Sequence, residues 1–258
     1  MSAGAAGAAL PGLRRVEEIM GMPIVADVRD EAADEAVLDR VFDWLRWVDG
    51  VFSTYKPESE ISRLNRGELH LRDCHADVRW VVARCRELCD ETGGYFDAEA
   101  VVPGTIDPSG LVKGWSVDRA AAILDEAGLA NYSLNAGGDI RLRGDALPDR
   151  RWRVGIQHPR RRDGIAAVVE ADDLAVATSG AYARGEHVVD PHTGEPPAGV
   201  LSVTVVGPDL ATADAYATAA FAMGTDGPEW TRTLDPYEAM TILADDRVLS
   251  TAGFPRRR

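Results

Sequence analysis

The chain has 258 residues, of which 45% are hydrophobic, and a formal net charge of −14 at pH 7. This length can bury a full-sized core, as one large domain or as two closely packed lobes. The acidic balance argues against a nucleic-acid backbone or an anionic membrane surface as the main partner, because both demand a basic face. Since no apolar stretch approaches the length of a membrane span, we expect neither nucleic-acid binding nor membrane insertion.

The chain is expected to form a single domain over residues 14–254, after a disordered N-terminal segment over residues 1–13 and before a short tail over residues 255–258. The N-terminal segment is rich in Ala and Gly, lacks a basic start, and reaches Pro11 before a secretory signal can develop.

The three cysteines, Cys74, Cys85 and Cys89, are odd in number and lack the companions that a zinc site needs. They are interpreted as core thiols in a reducing compartment. Together with the absence of a secretory signal, they predict a cytoplasmic protein.

Apolar periodicity predicts the first elements. Residues 15–20 and 23–29 are expected to form a strand pair that turns at Gly21, followed by a long amphipathic helix over residues 30–51. A second helix is expected over residues 76–91, ending before a glycine pair.

Between these two helices lies a polar loop over residues 53–65, in which Ser59 is placed to cap a short helical turn. Tyr55 stands beside Lys56 in this loop. Such a pair is often a surface patch, and the alternative is a tyrosine that stacks on a planar ligand.

Residues 107–114 are predicted to form a turn before a helix over residues 115–127. Gly110 and Gly114 permit close approach of the backbone, and Lys113 adds a positive charge, so the turn can cradle a phosphate. The spacing is not that of a P-loop. The alternative is structural, with Asp107 as a cap and the glycines in a tight turn.

Glycines interrupt the next predicted strand, which runs over residues 131–143, and they indicate a bulge or a place where something approaches the backbone closely. Two further strands are expected over residues 152–157 and 166–170, with the arginines of residues 160–162 in a solvated turn between them.

A strand over residues 174–177 opens into a polar stretch over residues 178–194, which gathers hydroxyls, an arginine, two histidines and a carboxylate. This density is typical of functional loops. A lone histidine is usually structural, whereas one beside hydroxyls and an acid can accept a proton near neutral pH.

A buried strand over residues 202–206 leads into a helix over residues 211–223, on which Asp214 and Thr218 stand at i and i+4 near the start. They share one face and form a hard oxygen pair suited to a magnesium ion. The alternative is that Asp214 serves the helix dipole and the free N–H groups of the first turn.

The chain is predicted to end in a short helix over residues 228–234, a hairpin over residues 239–250, and a frayed tail of three arginines.

Five segments, in this order, resemble the ApbE family, the flavin transferases that attach FMN from FAD to a protein hydroxyl. The resemblance covers nearly the whole chain from about Met20 onward. The segments are residues 53–65, Gly94-Tyr95-Phe96-Asp97, residues 107–114, Asn135-Ala136-Gly137-Gly138-Asp139, and residues 178–194 leading to Asp214 and Thr218.

The alternation of strands and helices, with antiparallel hairpins, favours an α+β (mixed α/β) fold. The resemblance implies an ApbE-like version of it, with a mostly antiparallel sheet, packed helices and a ligand cleft between two lobes. We expect the cleft between residues 107–114 and residues 178–218.

The resemblance further implies a transferase that uses FAD and Mg²⁺. A Thr or Ser hydroxyl of an acceptor flavoprotein attacks the FMN-side phosphorus, and AMP leaves. Asp214, Thr218 and the backbone carbonyl of Gly110 match the family's metal ligands. A general base helps the incoming hydroxyl lose its proton; His187 and Asp190 are the candidates, and His187 is preferred because its ordinary pKa lies near neutrality.

The residues that the resemblance assigns to FAD come from all five segments. They are Tyr55, Asp107, Lys113, Asn135, Gly137, Gly138, Asp139, Thr178, Ser179, Gly180 and Arg184.

The chain departs from the family pattern at three points. A methionine in residues 20–23 stands where relatives often have threonine, and Pro108-Ser109 replaces the usual leucine-glycine. Many relatives are exported lipoproteins, whereas this sequence shows no such signal, so we expect an acceptor that is cytoplasmic or faces the cytoplasm.

Two other functions compete with flavin transfer. One is a magnesium-dependent FAD diphosphatase, in which water replaces the acceptor hydroxyl and the products are FMN and AMP. The other is a flavin-binding module without catalysis, which would have no need of the metal pair.

Overall fold

An eight-stranded sheet forms the middle layer of the protein in its computed structural model, which describes residues 11–100, 102, 104–180 and 188–257. The strands in chain order are β1 (Leu13–Ile19), β2 (Met22–Val28), β3 (Tyr132–Ala136), β4 (Asp139–Arg143), β5 (Asp145–Leu147), β6 (Arg150–His158), β7 (Arg161–Ala171), β8 (Asp173–Gly180), β9 (Val200–Gly207), β10 (Glu238–Leu243) and β11 (Val248–Ser250). The large sheet has the order β1-β2-β3-β4-β8-β9-β10-β11, and every neighbouring pair is antiparallel. Strands β5, β6 and β7 form a second, three-stranded antiparallel sheet.

The helices are α1 (Glu35–Phe52), α2 (Glu60–Asn65), α3 (Ala76–Glu91), α4 (Ser109–Glu126), α5 (Leu210–Ala222) and the short α6 (Gly227–Trp230). Single 3₁₀ turns lie at Leu71–Asp73, Gly224–Asp226 and Thr231–Thr233.

Three layers result from the way these elements bury their apolar faces. Helices α1, α4 and α5 cover one face of the large sheet, where Ile24, Leu134 and Val205 join the main core. The small sheet covers the opposite face over strands β4, β8, β9 and β10. A second core lies among the helices themselves and includes Phe52, Val81 and Trp115.

Local sequence signals explain the helix starts. The Asp34 side chain accepts a hydrogen bond from the Val37 amide at 2.9 Å and caps α1. Ser59 accepts one from the Ser62 amide at 3.0 Å and caps α2, as predicted. Helix α3 has the predicted bounds.

The predicted fold class is confirmed, and the predicted pair of strands around Gly21 is the β1–β2 hairpin. Three local predictions were wrong. Helix α4 begins at Ser109, so residues 109–114 are helical and do not form a turn before it. The single strand predicted over residues 131–143 is two strands, β3 and β4, joined by a hairpin turn without a bulge, although Met22 does approach the turn closely, as the other interpretation of its glycines predicted. Residues 178–180 belong to strand β8.

The predicted frayed tail is also different in the structure. Arg256 bridges Val169 of β7, and the Arg257 amide donates to the Val168 carbonyl at 2.9 Å. Residues 256 and 257 therefore continue the edge of the small sheet. The predicted disordered segment lies, over residues 1–10, outside the described residues.

Cys74, Cys85 and Cys89 are free thiols, and burial raises the pKa of the Cys85 thiol to about 12. In the described part of the chain, no helix combines the length and the apolar character needed to cross a membrane.

Candidate functional site

Three elements bring their charged side chains together on the helix side of the large sheet. The Lys113 ammonium of α4 contacts the Asp139 carboxylate of β4 and lies 3.4 Å from Oδ1 of Asp214 on α5. Both carboxylates are almost fully buried, whereas the lysine side chain is 22% exposed. These three residues were predicted from separate segments, and the fold places them in one cluster.

Helix α5 extends this cluster by one turn. Thr218 follows Asp214 at i+4, and its hydroxyl lies 3.2 Å from the hydroxyl of Ser179 on β8. Asp214 is the fifth residue of α5, and the helix is capped by Asp209, which accepts from the Thr212 amide at 2.8 Å. Asp209, and not Asp214, therefore caps α5.

A two-residue turn places Asp139 at the start of β4. Ala136 pairs with Asp139 across Gly137 and Gly138, whose φ angles are +61° and +109°. This conformation at both central residues is the one that a tight hairpin requires and that glycine adopts without strain. The turn delivers the Asp139 carboxylate to Lys113 and, through Oδ1, to the Thr178 amide at 2.9 Å.

Asn135 and Thr178 point away from Lys113, because strand side chains alternate between the two faces of a sheet. Asn135 pairs with Ile140, and its Oδ1 accepts from the Gly138 amide at 2.9 Å, so it shapes the hairpin. The Thr178 hydroxyl lies 2.9 Å from that of Thr204. Of these two predicted FAD residues, the structure thus brings only the Thr178 backbone to the cluster.

The first turn of α4 carries Gly110, and a Cβ atom there would lie 3.0 Å from the Phe96 ring. Segment 94–97 thereby contacts the start of α4. Asp107 precedes the helix, and its Oδ1 accepts from the Ser109 amide at 3.0 Å and from the Ser109 hydroxyl. Asp107 thus binds the first amide of α4 from outside the helix, whereas the N-cap residue is Pro108 and the tight turn of glycines in the same alternative is absent.

Met22, one of the two methionines in the segment that departs from the family pattern, packs beside the hairpin turn. A Cβ atom at Gly137 would lie 2.9 Å from Sδ of Met22, and the Gly137 amide donates to the Pro23 carbonyl at 3.2 Å. Residues 20–23 therefore border the turn that holds Asp139.

Comparison with known proteins identifies the family of this chain. The sequence model of the ApbE family matches residues 20–102 and 102–241. The chain belongs to the ApbE family.

Curated relatives support the same assignment. A protein named FAD:protein FMN transferase from Vibrio cholerae is 38% identical over 134 residues, which are 47% of this chain and 39% of the relative. A protein of the same name from Rhodobacter capsulatus is 36% identical over 155 residues, 57% of this chain and 29% of the relative. The chain thus spans less than half the length of these curated relatives.

Solved ApbE structures share the fold over almost the whole chain. The flavin transferase ApbE from Vibrio cholerae superposes with a TM-score of 0.83 at 25% identity and covers 94% of this chain and 97% of that one. The ApbE protein from Thermotoga maritima gives 0.80 at 22% identity, over 95% and 99% of the two chains.

The donor set of this ApbE site fits a hard divalent cation. Asp214 and Thr218 offer a carboxylate and a hydroxyl from one helix face, and Gly110 offers a backbone carbonyl from the first turn of α4, which packs against α5. Magnesium prefers such oxygen ligands. Within the described residues, no group of three or more His, Cys, Asp and Glu side chains could hold a metal ion.

Two predicted site residues lie apart from the Lys113 cluster in their described contacts. Tyr55 is 95% exposed, on the loop between α1 and α2. Asp190 accepts hydrogen bonds from the His192 amide at 2.9 Å and the Thr193 hydroxyl at 3.1 Å, and thus holds a local turn. Arg184 and the preferred base His187 lie outside the described residues.

Sequence reasoning assigned no role to three residues that join separate segments of the chain. Asp118 joins α4 to α5, Asn65 exchanges two hydrogen bonds with the Ile106 backbone at 2.8 and 2.9 Å, and His192 contacts the Gly93 carbonyl at 3.0 Å. Only Asp118 carried a usable signal, because it falls on the buried stripe of its helix between Gly114 and Ala121.

Proposed function

We propose that this chain transfers FMN from FAD to a Thr or Ser hydroxyl of an acceptor protein, releases AMP, and requires Mg²⁺. The observation that carries the proposal is the cluster of Lys113, Asp139 and Asp214, with Thr218 one turn further along α5. The relatives named FAD:protein FMN transferase support the substrate and the reaction class.

Each residue of the cluster has a defined task in this proposal. Asp214, Thr218 and the Gly110 carbonyl would hold the magnesium ion, which when bound neutralises charge on the diphosphate and polarises the reacting phosphoryl group. Asp139 orients the Lys113 ammonium, which supplies a further positive charge for phosphate oxygens. Cleavage of a diphosphate depends mainly on such positioning and charge stabilisation.

The acceptor hydroxyl must lose its proton as it attacks. We propose His187 as the base, because an imidazole can accept a proton near neutral pH. The alternative base, Asp190, already binds the His192 amide and the Thr193 hydroxyl, which supports His187 over Asp190.

The acceptor is proposed to be cytoplasmic or to face the cytoplasm. The free thiols at Cys74, Cys85 and Cys89 agree with a reducing compartment.

The test is incubation with FAD, Mg²⁺ and a candidate acceptor flavoprotein, followed by AMP chromatography and in-gel fluorescence of the denatured acceptor. Wild-type protein is expected to release AMP and label the acceptor. Asp214→Ala is expected to lower the rate by about 100-fold or more, because it removes charge stabilisation from the site. The matched control is Asp245→Ala, which removes an exposed carboxylate paired with Arg247 and should leave the rate unchanged.

Other outcomes discriminate between the competing functions. FMN and AMP without a labelled protein, with every acceptor tested, would identify an FAD diphosphatase. Tight FAD binding with no AMP after long incubation would identify a binding module. Unchanged labelling by Asp214→Ala would refute the metal assignment.

A further inference from the structure

Asp118 joins the two helices that carry the candidate site. It lies on α4, five residues after Lys113, and its carboxylate accepts hydrogen bonds from the first two amides of α5. The Leu210 amide donates to its oxygens at 2.9 and 3.0 Å, and the Ala211 amide donates to Oδ2 at 2.8 Å. A carboxylate in this position is stabilised by the partial positive charge of the helix start.

This contact is distinct from ordinary capping, because α5 already has a cap of its own. Asp209 immediately precedes the helix and accepts from the Thr212 amide at 2.8 Å. Asp209 therefore satisfies an amide within its own segment, whereas Asp118 binds the helix from a different element. Loss of Asp118 removes a connection between α4 and α5 that the Asp209 cap does not replace.

Close packing reinforces the connection at the same point. A Cβ atom at Gly114 would overlap the Leu210 carbonyl oxygen, so the two helix backbones touch here. Lys113 is adjacent to Gly114 on α4, and Asp214 is one turn from Leu210 on α5. The contact between Lys113 and Asp214 thus lies next to the place where the helices are tied.

The surroundings of Asp118 leave it little freedom. Its side chain is 21% exposed, and Nε of Arg141 on β4 lies 3.9 Å from Oδ1. Its interactions with α5 and β4 hold the carboxylate in one place between three elements.

We propose that Asp118 is a positioning residue for the reaction: by holding the start of α5 against α4, it sets Asp214 and Thr218 relative to Lys113. This inference rests on the proposed function: its cation-binding part rests on the proposed metal ligands Asp214 and Thr218, and its catalytic part rests on the proposed transfer of FMN. Residues that orient metal ligands from behind typically contribute about 10- to 100-fold in metal affinity or activity.

The test compares Asp118→Ala with Asp209→Ala, a matched pair because each removes one aspartate from the same helix start. Both variants are expected to lower the urea midpoint of unfolding. Only Asp118→Ala is expected to weaken Mn²⁺ binding, measured by electron paramagnetic resonance without FAD, by about tenfold or more. It should also lower kcat for AMP release by about tenfold or more, while the KM for FAD changes less.

Asp118→Asn provides a second variant if the alanine variant does not fold. Its single carbonyl oxygen keeps part of the acceptor capacity, so its Mn²⁺ affinity should fall between those of wild type and Asp118→Ala. Equal Mn²⁺ affinity for Asp118→Asn and wild type, or equal losses in Asp118→Ala and Asp209→Ala, would overturn the positioning role. If wild type binds Mn²⁺ but releases no AMP, the proposed transfer is overturned alone, because Mn²⁺ affinity still reports on Asp118. If wild type binds no Mn²⁺, the metal assignment and the positioning role are both overturned.

Discussion

The Lys113 ammonium group is largely removed from water, in a place where an unpaired charge would destabilise the folded protein. Its ammonium group lies against the buried carboxylates of Asp139 and Asp214, whereas Lys56, the other lysine of the sequence, forms a 2.6 Å ion pair with Asp49 near the surface. Removing one member of a buried ion group leaves uncompensated charge, and this is far more destabilising than loss of a surface pair.

Lys113→Met is therefore expected to lower the free energy of unfolding by about 3 kcal/mol, because the two carboxylates lose their shared cation. Lys56→Met should cost less than about 1 kcal/mol, since water screens the exposed pair. Urea unfolding followed by circular dichroism measures both. Equal losses in the two variants would contradict the structural importance of the Lys113 contacts.

Residue identity in the sequence predicted part of the site. Lys113, Asp139, Asp214 and Thr218 were found because polar groups in turn-rich or helix-start positions point to chemistry, and because the order of segments resembles a family. The convergence of Lys113 on Asp139 was not predictable, since it depends on the register of the β3–β4 hairpin and on helix packing. Asp118 was overlooked, although a charge within an apolar helical stripe is a signal in its own right.

At the scale of elements, α4 lies along β4, and charged side chains of the helix pair with oppositely charged side chains of the strand. Strand residues two apart share a face, and this face of β4 meets a run of oppositely charged positions on α4. The three pairs are Asp139 with Lys113, Arg141 with Asp118, and Arg143 with Asp125. The three ion pairs orient α4 along β4 and thereby help to position Lys113 beside Asp139.

The predicted start of α4 was wrong for a physical reason. Pro108, Gly110 and Gly114 have the composition of a turn, and glycine weakens an isolated helix. In the folded protein, Gly110 faces the Phe96 ring and Gly114 touches the α5 backbone, so tertiary packing outweighs the local preference.

Gly114→Ala tests this packing. The new methyl group would overlap the Leu210 carbonyl oxygen, so the helices must separate, and we expect a loss of about 1–3 kcal/mol in unfolding free energy together with weaker catalysis. Gly50→Ala in α1 is the control, because the new Cβ meets no atom within 4 Å beyond its own stretch of helix, and it should stabilise by about 0.5–1 kcal/mol. Urea unfolding gives both values. A stabilised Gly114→Ala would show that α4 and α5 do not need this contact.

At the scale of the whole molecule, the acidic protein concentrates its candidate chemistry on one side of the large sheet, while the small sheet covers the other side. The layer arrangement followed from periodicity and from the family resemblance. Only two strands of the small sheet were predicted. Its position across β8, β9 and β10 was not predicted, because a sequence pattern shows which face of a strand is apolar but not which element covers that face.

Stability should depend on pH through Asp118. Burial raises the pKa of this carboxyl to about 6 from its ordinary 3.8, and the proximity of Asp209 adds to the rise, while the Leu210 and Ala211 amides and Arg141 oppose it. Between these two values the folded protein binds more protons than the unfolded chain, so the contribution of Asp118 to stability falls as pH rises across the window and is constant above it.

Urea unfolding of wild type and Asp118→Asn at pH 4.5 and pH 7 measures this dependence. The stability of wild type relative to Asp118→Asn is expected to be greater at pH 4.5. Asp245 serves as the control: the Arg247 side chain lowers the pKa of Asp245 below its ordinary 3.8, so both pH values lie above its titration and the comparison with Asp245→Asn should change little between them. A difference between wild type and Asp118→Asn that does not change with pH would contradict the raised pKa.

The hairpin that joins β3 to β4 carries one last implication. Because side chains alternate along a strand, a residue inserted between Ala136 and Asp139 that shifted β4 by one position would turn the Asp139 carboxylate to the side covered by the small sheet. The number of residues in this connection is therefore as constrained as their identity. Evolutionary change in loop length is better tolerated where strands carry no chemistry, as in the connection between β6 and β7.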